Sequence, residues 1–268
     1  MKLSCFIIIK NEAEYVGYCI MSILPYIDEF VFCDGNSTDG TIEIIEYIKK
    51  KYDKDNKIKL FKNKDCKDLR DDYVKLFNWT LKQCSGDYVW FLHPDMIVVN
   101  PEIIRQELEK EEAIRYSIKM VSFAGDHKHI WTEGRTDTWA TIFANKHGLH
   151  YWGWYGDANE DLYFRDITGS EHILYKTIPY LSYEIVNTKI TAYHYCDTKP
   201  YKRRLGRMRN VLNNYVNINK DLVNQIALSH PRVTLQKGVV DGRKFEIEKF
   251  RLSEPKIFGQ YKEEFKRL

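Results

Sequence analysis

Two patterns of hydrophobic and polar positions alternate along the first part of the chain. Mainly apolar runs, typical of strands that a sheet buries on both faces, occur at residues 3–9, 29–33, 57–61 and 88–92. Apolar residues recur at helical spacing in the segments between these runs, at 14–24, from 42 onwards and at 69–84. Because strand and helix alternate with short turns, we predict a mostly parallel sheet with right-handed crossovers.

The pattern changes after residue 113. A helix is predicted at 101–111. Strands are predicted after it at 118–124, at 138–144 and in a run ending at 190–195. A basic helix is predicted at 200–216. The segments 125–137 and 146–170 are predicted to be long loops, which in compact domains usually cover a site.

The predicted fold class is therefore α/β. It has a mixed, mostly parallel central sheet flanked by helices, and a C-terminal helical extension. We expect one domain at 1–216, with halves at 1–112 and 113–216, followed by the extension at 217–268.

Composition excludes several classes of protein. Hydrophobic residues make up 44% of the 268 residues, which is ample for a core, and the net charge of +3 does not indicate a nucleic-acid binder. The six cysteines include no CxxC pair, so reduced thiols in a cytoplasmic protein are expected. The first apolar stretch is short enough for a strand, and no run approaches the roughly 18 apolar residues of a membrane span.

The segment 34–41, Asp-Gly-Asn-Ser-Thr-Asp-Gly-Thr, leaves the second predicted strand and leads into a helix. A polar cup beneath a helix N-terminus favours anionic or heavily hydroxylated ligands. Its position at a strand end predicts that Asp34 and Asp39 face a bound ligand. The alternative is a turn selected only for capping the helix.

A second polar segment, His93-Pro94-Asp95, follows the fourth predicted strand. The residue before a proline is pushed away from helical backbone, so we predict an extended turn. An imidazole and a carboxylate two residues apart could share one divalent cation. The alternative is a solvated strand end without a ligand.

Together these segments resemble the family 2 glycosyltransferases of the GT-A fold. Residues 9–15 are similar to the family's (R/K)NE segment, and residues 34–41 to its DdgSTDgT turn. Asn78 with residues 86–92 is similar to its RN…GdyvlfLD helix and strand. The resemblance covers residues 3–105 well and residues 150–205 more loosely.

The resemblance implies a nucleotide-diphosphate sugar as donor, with Asp34 holding the base. Phe77 stands where the family has an arginine, and Arg70 could substitute for it. The residues expected to contact the donor are Lys10, Asn11, Glu12, Asp34, Ser37, Asp39, Arg70, Asn78, His93 and Arg203.

The family's metal-binding DxD motif falls on His93-Pro94-Asp95, where this sequence departs from it by a histidine. The resemblance implies a divalent cation, Mn²⁺ or Mg²⁺, and the departure makes metal dependence a question for experiment. The expected ligands are Asp95, His93 and the strand-end His194, for which a purely structural role is the alternative.

Residues 159–165, Asn-Glu-Asp-Leu-Tyr-Phe-Arg, are similar to the family's ED…R segment, whose aspartate is the catalytic base of inverting members. The resemblance therefore implies that Asp161 is the base, with Glu160 and Asp157 as substitutes. Arg165 would orient Asp161 if the segment is helical. The alternative is that Glu160 and Asp161 only start a helix.

The predicted activity is inverting sugar transfer to a hydroxyl of a glycan, lipid or protein acceptor, as in polysaccharide biosynthesis. The basic residues near 200–210 could bind the diphosphate or contact a membrane surface peripherally. Tryptophans in the later segments could stack on sugar rings, although core packing is the default: Trp131, Trp139, Trp152 and Trp154. The alternatives are a nucleotidyltransferase of similar fold and a non-catalytic sugar- or nucleotide-binding protein.

Overall fold

The computed structural model is of a mixed α/β protein. It describes residues 1–63, 73–111, 113, 115–123, 126–131, 141–145, 150–152, 161–165, 171–173, 185–195, 198–199, 237–240, 243–249 and 255–266.

Four parallel strands form the first part of the central sheet: β1 (Leu3–Ile9), β2 (Glu29–Asp34), β3 (Ile58–Lys62) and β4 (Tyr88–Phe91). β1 pairs with β2 on one side and with β4 on the other. All seven residues of β1 are buried, as its uninterrupted apolar sequence predicts. The carboxyl ends of these strands meet at one edge of the sheet, where open α/β sheets place their ligands.

The sheet continues with β5 (Met96–Val98), β6 (Arg115–Ser122), β8 (Thr141–Ala144) and β12 (Ile185–His194). The order of its eight strands is β3-β2-β1-β4-β8-β6-β12-β5. Because β8 lies antiparallel to both β4 and β6, the predicted mixed sheet is confirmed. β5 was not predicted, because a run of three residues is too short to show the hydrophobic pattern of a strand.

Alternate residues of β1 belong to two different hydrophobic clusters, one on each face of the sheet. Leu3, Cys5, Ile7 and Ile9 belong to the cluster that contains the apolar residues of α1 (Val16–Ile23) and α2 (Thr41–Lys51). Phe6 and Ile8 belong to the cluster formed with α3 (Tyr73–Lys82). Helices therefore cover both faces of the parallel strands, which explains why these strands lack polar alternation.

Two predicted helices differ in detail. The helix predicted at 14–24 is α1, followed by a 3-10 turn at Leu24–Tyr26 that contains Pro25. The helix predicted at 101–111 begins as a 3-10 turn, Pro101–Ile103, and continues as α4 (Ile104–Glu109). Pro101 lies in the first turn because a proline there costs no helical hydrogen bond.

Two small antiparallel sheets replace parts of the predicted long loops. One consists of β9 (His150–Trp152), β10 (Asp161–Arg165) and β11 (Glu171–Ile173), and the other of β7 (His129–Trp131), β13 (Lys237–Val240) and β14 (Arg243–Lys249). The loop predictions for 125–137 and 146–170 were therefore wrong where these strands lie. The C-terminal part ends in α5 (Lys256–Phe265), but the β13–β14 hairpin precedes this helix.

The chain divides into two compact units. The first comprises Met1–Met120, Thr138–Ala192 and Pro255–Leu268, and the second comprises Val121–Asp137 and Tyr193–Glu254. Within the second unit, the rings of Phe123 and Tyr195 stack with centroids 4.5 Å apart. The predicted domain boundaries stay a prediction. The predicted basic helix at 200–216 lies outside the described residues.

α5 belongs to the first unit and packs against α1. The Phe265 ring covers Gly17, where an added Cβ would lie 2.7 Å from a ring carbon. Tyr18 contacts both Phe258 and Phe265, and Glu264 pairs with Lys51 at 2.9 Å. Helix α1 is thus held between the sheet and the C-terminal helix.

Among the helices described, none has the length and apolar character that crossing a membrane requires.

Candidate functional site

Two segments lie side by side at the carboxyl edge of the sheet. Residues 10–15 follow β1 and residues 34–41 follow β2, and the register pairs Ile9 with Asp34. The backbone N–H groups of Asn11 and Glu12 donate to Ser37 Oγ (2.8 Å) and Thr41 Oγ1 (2.7 Å). The 34–41 turn is therefore fastened to the segment after β1, and its shape depends on both.

Asp34 is the buried centre of the 34–41 turn. It is 3% exposed, and its carboxylate accepts hydrogen bonds from the N–H groups of Asn36 (3.1 Å) and Ser37 (3.1 Å) and from Ser37 Oγ (2.5 Å). The Ser37 N–H also lies 3.2 Å from Oδ1, so both carboxylate oxygens accept from the turn. Asp34 thus shapes the turn at the strand end.

Asp39 has a different environment. Its Oδ1 accepts from both the N–H (3.1 Å) and the Oγ1 (2.5 Å) of Thr41, the first residue of α2. Its Oδ2 accepts from the N–H of Ala13 at 3.2 Å. These contacts favour the capping alternative for Asp39, because its carboxylate, two residues before α2, accepts from an N–H group that the first turn of the helix leaves open.

The second turn, residues 93–96, connects β4 with β5. The N–H of Met96 donates to the carbonyl of His93 at 3.0 Å, so this is a closed β-turn with Pro94 at its second position, where proline is favoured. A turn is thus present at His93-Pro94-Asp95, where the sequence predicts one. Asp95 is 3% exposed, and the His93 ring packs 5.1 Å from that of Phe91.

Two of the three predicted metal ligands lie in one turn. His93 and Asp95 are two residues apart in the 93–96 turn of the first unit, and His194 is the last residue of β12. Imidazole nitrogens and carboxylate oxygens are donors that suit divalent first-row metals. A divalent cation is therefore a plausible cofactor for this group.

Cys19 of α1 lies beside the 93–96 turn. Its Sγ is 3.4 Å from the carbonyl oxygen of His93. Burial, followed by the neighbouring carboxylates of Asp95 and Glu12, raises the pKa of the Cys19 thiol well above its ordinary value. The thiol therefore stays protonated and donates to the carbonyl.

The family model described as Glycosyl transferase family 2 matches residues 4–156, more than half of the 268 residues. The chain belongs to glycosyl transferase family 2. The family predicted from the sequence motifs is thereby confirmed.

The chain is similar to several solved structures. S. aureus TarS 1-349 in complex with UDP-GlcNAc matches with a TM-score of 0.51 at 16% identity, over 86% of this chain and 71% of that one. A second TarS 1-349 structure matches with a TM-score of 0.41 at 19% identity over 54% of this chain, and the match spans 47% of that neighbour. Mannosyltransferase PcManGT from Pyrobaculum calidifontis, in complex with GDP-Man and Mn²⁺, gives a TM-score of 0.46 at 11% identity, over 86% of this chain and 70% of that one. No curated protein matches the chain. The predicted GT-A fold is confirmed by the TarS likeness.

In this family 2 glycosyltransferase, Phe77 occupies the position of the family's arginine and lies in the hydrophobic core. Phe77 is fully buried, with ring centroids 5.0 Å from Phe6 and 4.8 Å from Phe91. Its neighbour Asn78 is half-buried on α3. Arg70, the suggested substitute, lies outside the described residues, as do Arg203 and Glu160.

Asp161 begins strand β10, so it does not start a helix. The expectation that Arg165 orients Asp161 through helical spacing was therefore wrong, since Arg165 ends the same strand. Asp157, Trp139 and Trp154 lie outside the described residues. Trp131 and Trp152 end β7 and β9.

Proposed function

We propose that this family 2 glycosyltransferase is an inverting enzyme that moves a sugar from a nucleotide-diphosphate donor to an acceptor hydroxyl. The observation that carries the proposal is the placement of two polar turns, 34–41 and 93–96, after the strands that flank β1. One turn offers acceptors for a nucleotide, and the other offers a cation-binding group. The fold neighbour TarS 1-349 in complex with UDP-GlcNAc supports a donor of this class.

The nucleotide base is proposed to bind at the 34–41 turn. Asp34 would accept a hydrogen bond from the base, while Ser37 and Asn11 hold the turn in position. The other residues proposed to border the donor are Lys10, Glu12, Asp39, Arg70, Asn78, His93 and Arg203. Asp39 would act through the turn, because its carboxylate is bonded to Thr41 and Ala13.

The diphosphate is proposed to lie near the 93–96 turn, with His93 and Asp95 as ligands of a divalent cation. His194 is proposed as a further ligand from the family resemblance. A bound cation offsets the negative charge that develops on the departing diphosphate. Two imidazoles and one carboxylate fit Mn²⁺ better than Mg²⁺, which prefers oxygen ligands. The replacement of the family's first aspartate by His93 is therefore compatible with metal binding.

The catalytic base is proposed to be Asp161, with Glu160 beside it. Inverting transfer needs one carboxylate that removes the proton of the acceptor hydroxyl as it attacks the anomeric carbon. The similarity of residues 159–165 to the family's ED…R segment supports this role. The acceptor class, a glycan, lipid or protein, is left open by the fold, since acceptor segments vary within one fold.

The test of donor binding is a panel of UDP- and GDP-sugars, measured by thermal shift with Mn²⁺ and with EDTA. We expect at least one donor to raise Tm in the presence of Mn²⁺, since a ligand at a hundred times its Kd adds about 2.7 kcal/mol of stability. Asp34→Asn should lose this shift.

The matched control is Asp53→Asn. Asp53 is also buried and accepts two backbone N–H groups, from Lys57 and Ile58, both at 2.8 Å, but it precedes β3 at the opposite edge of the sheet. Asp53→Asn should keep the donor-dependent shift. An undiminished shift in folded Asp34→Asn would contradict the assignment of the base site. Binding without turnover would favour the non-catalytic alternative.

A further inference from the structure

Two polar side chains of α1 hold both ends of the chain segment that carries His93 and Asp95. Cys19 Sγ donates to the carbonyl of His93 at 3.4 Å. Three residues later in the helix, Ser22 Oγ accepts from the N–H of Val98 at 3.2 Å and donates to the Cys19 carbonyl at 2.7 Å. The two bonds therefore connect one helix to the beginning and to the end of segment 93–98.

These contacts are unusual for this helix face. Its other buried residues are mainly apolar, and Cys19 and Ser22 are themselves 0% and 5% exposed. A buried hydroxyl costs free energy unless it is hydrogen-bonded, so the partners of Ser22 offset the cost of burying it. The carbonyl of His93 accepts from both the Cys19 thiol and the N–H of Met96. The group that closes the 93–96 turn is thus also anchored to α1.

The same helix is tied to the other polar turn. The N–H groups of Tyr15 and Val16 donate to the carbonyl of Glu12, and the N–H of Glu12 donates to Thr41 Oγ1 at 2.7 Å. The start of α1 is therefore bonded to the 34–41 turn, while its middle is bonded to the 93–96 turn. A single helix spans the distance between the two turns.

We propose that Cys19 and Ser22 are positioning residues, which fix the 93–96 turn so that His93 and Asp95 present their side chains to one cation. The inference rests on the proposed cation site. Groups that orient metal ligands from outside the coordination shell typically change metal affinity about 10- to 100-fold when they are removed. The thiol acts through the backbone of His93 and does not itself bind the cation.

The test is a titration of the whole chain with Mn²⁺ in the absence of a nucleotide sugar. Electron paramagnetic resonance measures the concentration of free Mn²⁺ at each step. We expect Cys19→Ala to weaken Mn²⁺ binding about tenfold. Cys19→Ser should restore binding close to the wild-type level, because a hydroxyl can donate to the same carbonyl. Ser22→Ala should weaken binding in the same direction, since it removes the acceptor for the N–H of Val98.

Cys84→Ala is the matched control. Cys84 is also a buried thiol, and it donates to the backbone carbonyl of Thr80 at 3.6 Å. It differs from Cys19 in its place: Cys84 lies before β4, whereas the 93–96 turn lies after β4. Cys84→Ala should lower Tm about as much as Cys19→Ala does and leave Mn²⁺ affinity unchanged.

Three results would overturn the proposal in distinguishable ways. Wild-type affinity in folded Cys19→Ala would refute the positioning role and leave the cation site standing. An equal loss of affinity in Cys84→Ala would show that the effect is general destabilisation. Failure of the wild-type protein to bind Mn²⁺ would refute the cation site, and the positioning role with it.

Discussion

At the scale of single residues, polar side chains of the predicted site also build its shape. Asn11 and Asn36 adopt left-handed backbone, with φ of 57° and 66°, a conformation that asparagine tolerates better than most residues. The Oδ1 of Asn11 accepts from the N–H of Thr38 at 2.8 Å. The motif could therefore be recognised in the sequence, but the hydrogen-bond partners of its residues could not be predicted.

Cys19 and Ser22 were not predicted as part of the site. The sequence does carry a signal for them, because a thiol and a hydroxyl three residues apart interrupt the apolar face of the predicted helix at 14–24. Such residues are common in cores as small fillers, so the pattern alone does not indicate what they bind.

Asp161→Asn tests the proposed catalytic base. The variant should bind the donor as the wild-type protein does, because the base faces the acceptor. Its transfer rate should fall by about 10²–10⁴-fold, the usual contribution of general base catalysis. Donor titration and steady-state kinetics would separate the two effects. A variant with wild-type turnover would move the role to Glu160 or Asp157.

Glu29 predicts how stability depends on pH. This buried carboxylate, at the start of β2, accepts from Ser4 Oγ (2.5 Å), the N–H of Ser85 (2.7 Å) and Lys59. Burial acts to raise the pKa of Glu29, but the hydrogen bonds from Lys59, Ser4 and Ser85 lower it from 4.5 to about 2. Because the folded-state pKa is depressed, the stabilisation is present above the unfolded value of 4.5 and is lost as pH falls towards 2.

The corresponding experiment is urea unfolding of the wild type and of Glu29→Gln at several pH values. At pH 7 the wild type should be more stable by up to about 3 kcal/mol, since one pKa unit corresponds to about 1.4 kcal/mol. The difference should shrink steadily below pH 4.5. A difference that does not change with pH would mean that Glu29 is not the titrating group.

At the scale of elements, the strands and helices up to residue 92 follow the sequence pattern closely. β1 covers 3–9 as predicted, and β2, β3 and β4 lie within one residue of their predicted bounds. Later elements were harder to predict because they are short and their partners are distant in sequence. β9, β10 and β11 have three to five residues each, and only antiparallel pairing with one another identifies them as strands.

The contact between α1 and α5 gives a prediction at this scale. Gly17→Ala should destabilise the wild-type protein, because the new Cβ would lie 2.7 Å from the Phe265 ring. Phe265→Ala alone should cost about 3 kcal/mol through lost burial. In that background Gly17→Ala should instead stabilise by up to about 1 kcal/mol, since alanine is the better helix former.

A double-mutant cycle by urea unfolding measures this reversal. Two residues in contact should show a coupling free energy of about 0.5–3 kcal/mol. Additive effects of the two substitutions would contradict the close packing of Phe265 on Gly17.

At the scale of the whole molecule, the sheet determines which parts of the sequence meet. That β1, β2 and β4 end at a common edge could be predicted from alternating strands and helices, and with it the proximity of the two polar turns. The position of β12, which ends at His194, could not, because it depends on strand pairing in a mixed sheet. His194 was expected as a metal ligand only from the family resemblance. Sequence spacing carries no information on contacts between residues so far apart.

The central claim, inverting and cation-assisted transfer from a nucleotide sugar, is tested most directly by proton NMR of donor cleavage. The donor selected by thermal shift is incubated with the protein and Mn²⁺, with water as the acceptor, and the anomeric signal of the released sugar is followed before it mutarotates. We predict release of the anomer opposite to that of the donor, and loss of release when EDTA is added. Release with retained configuration, or no release from any donor of the panel, would contradict the account.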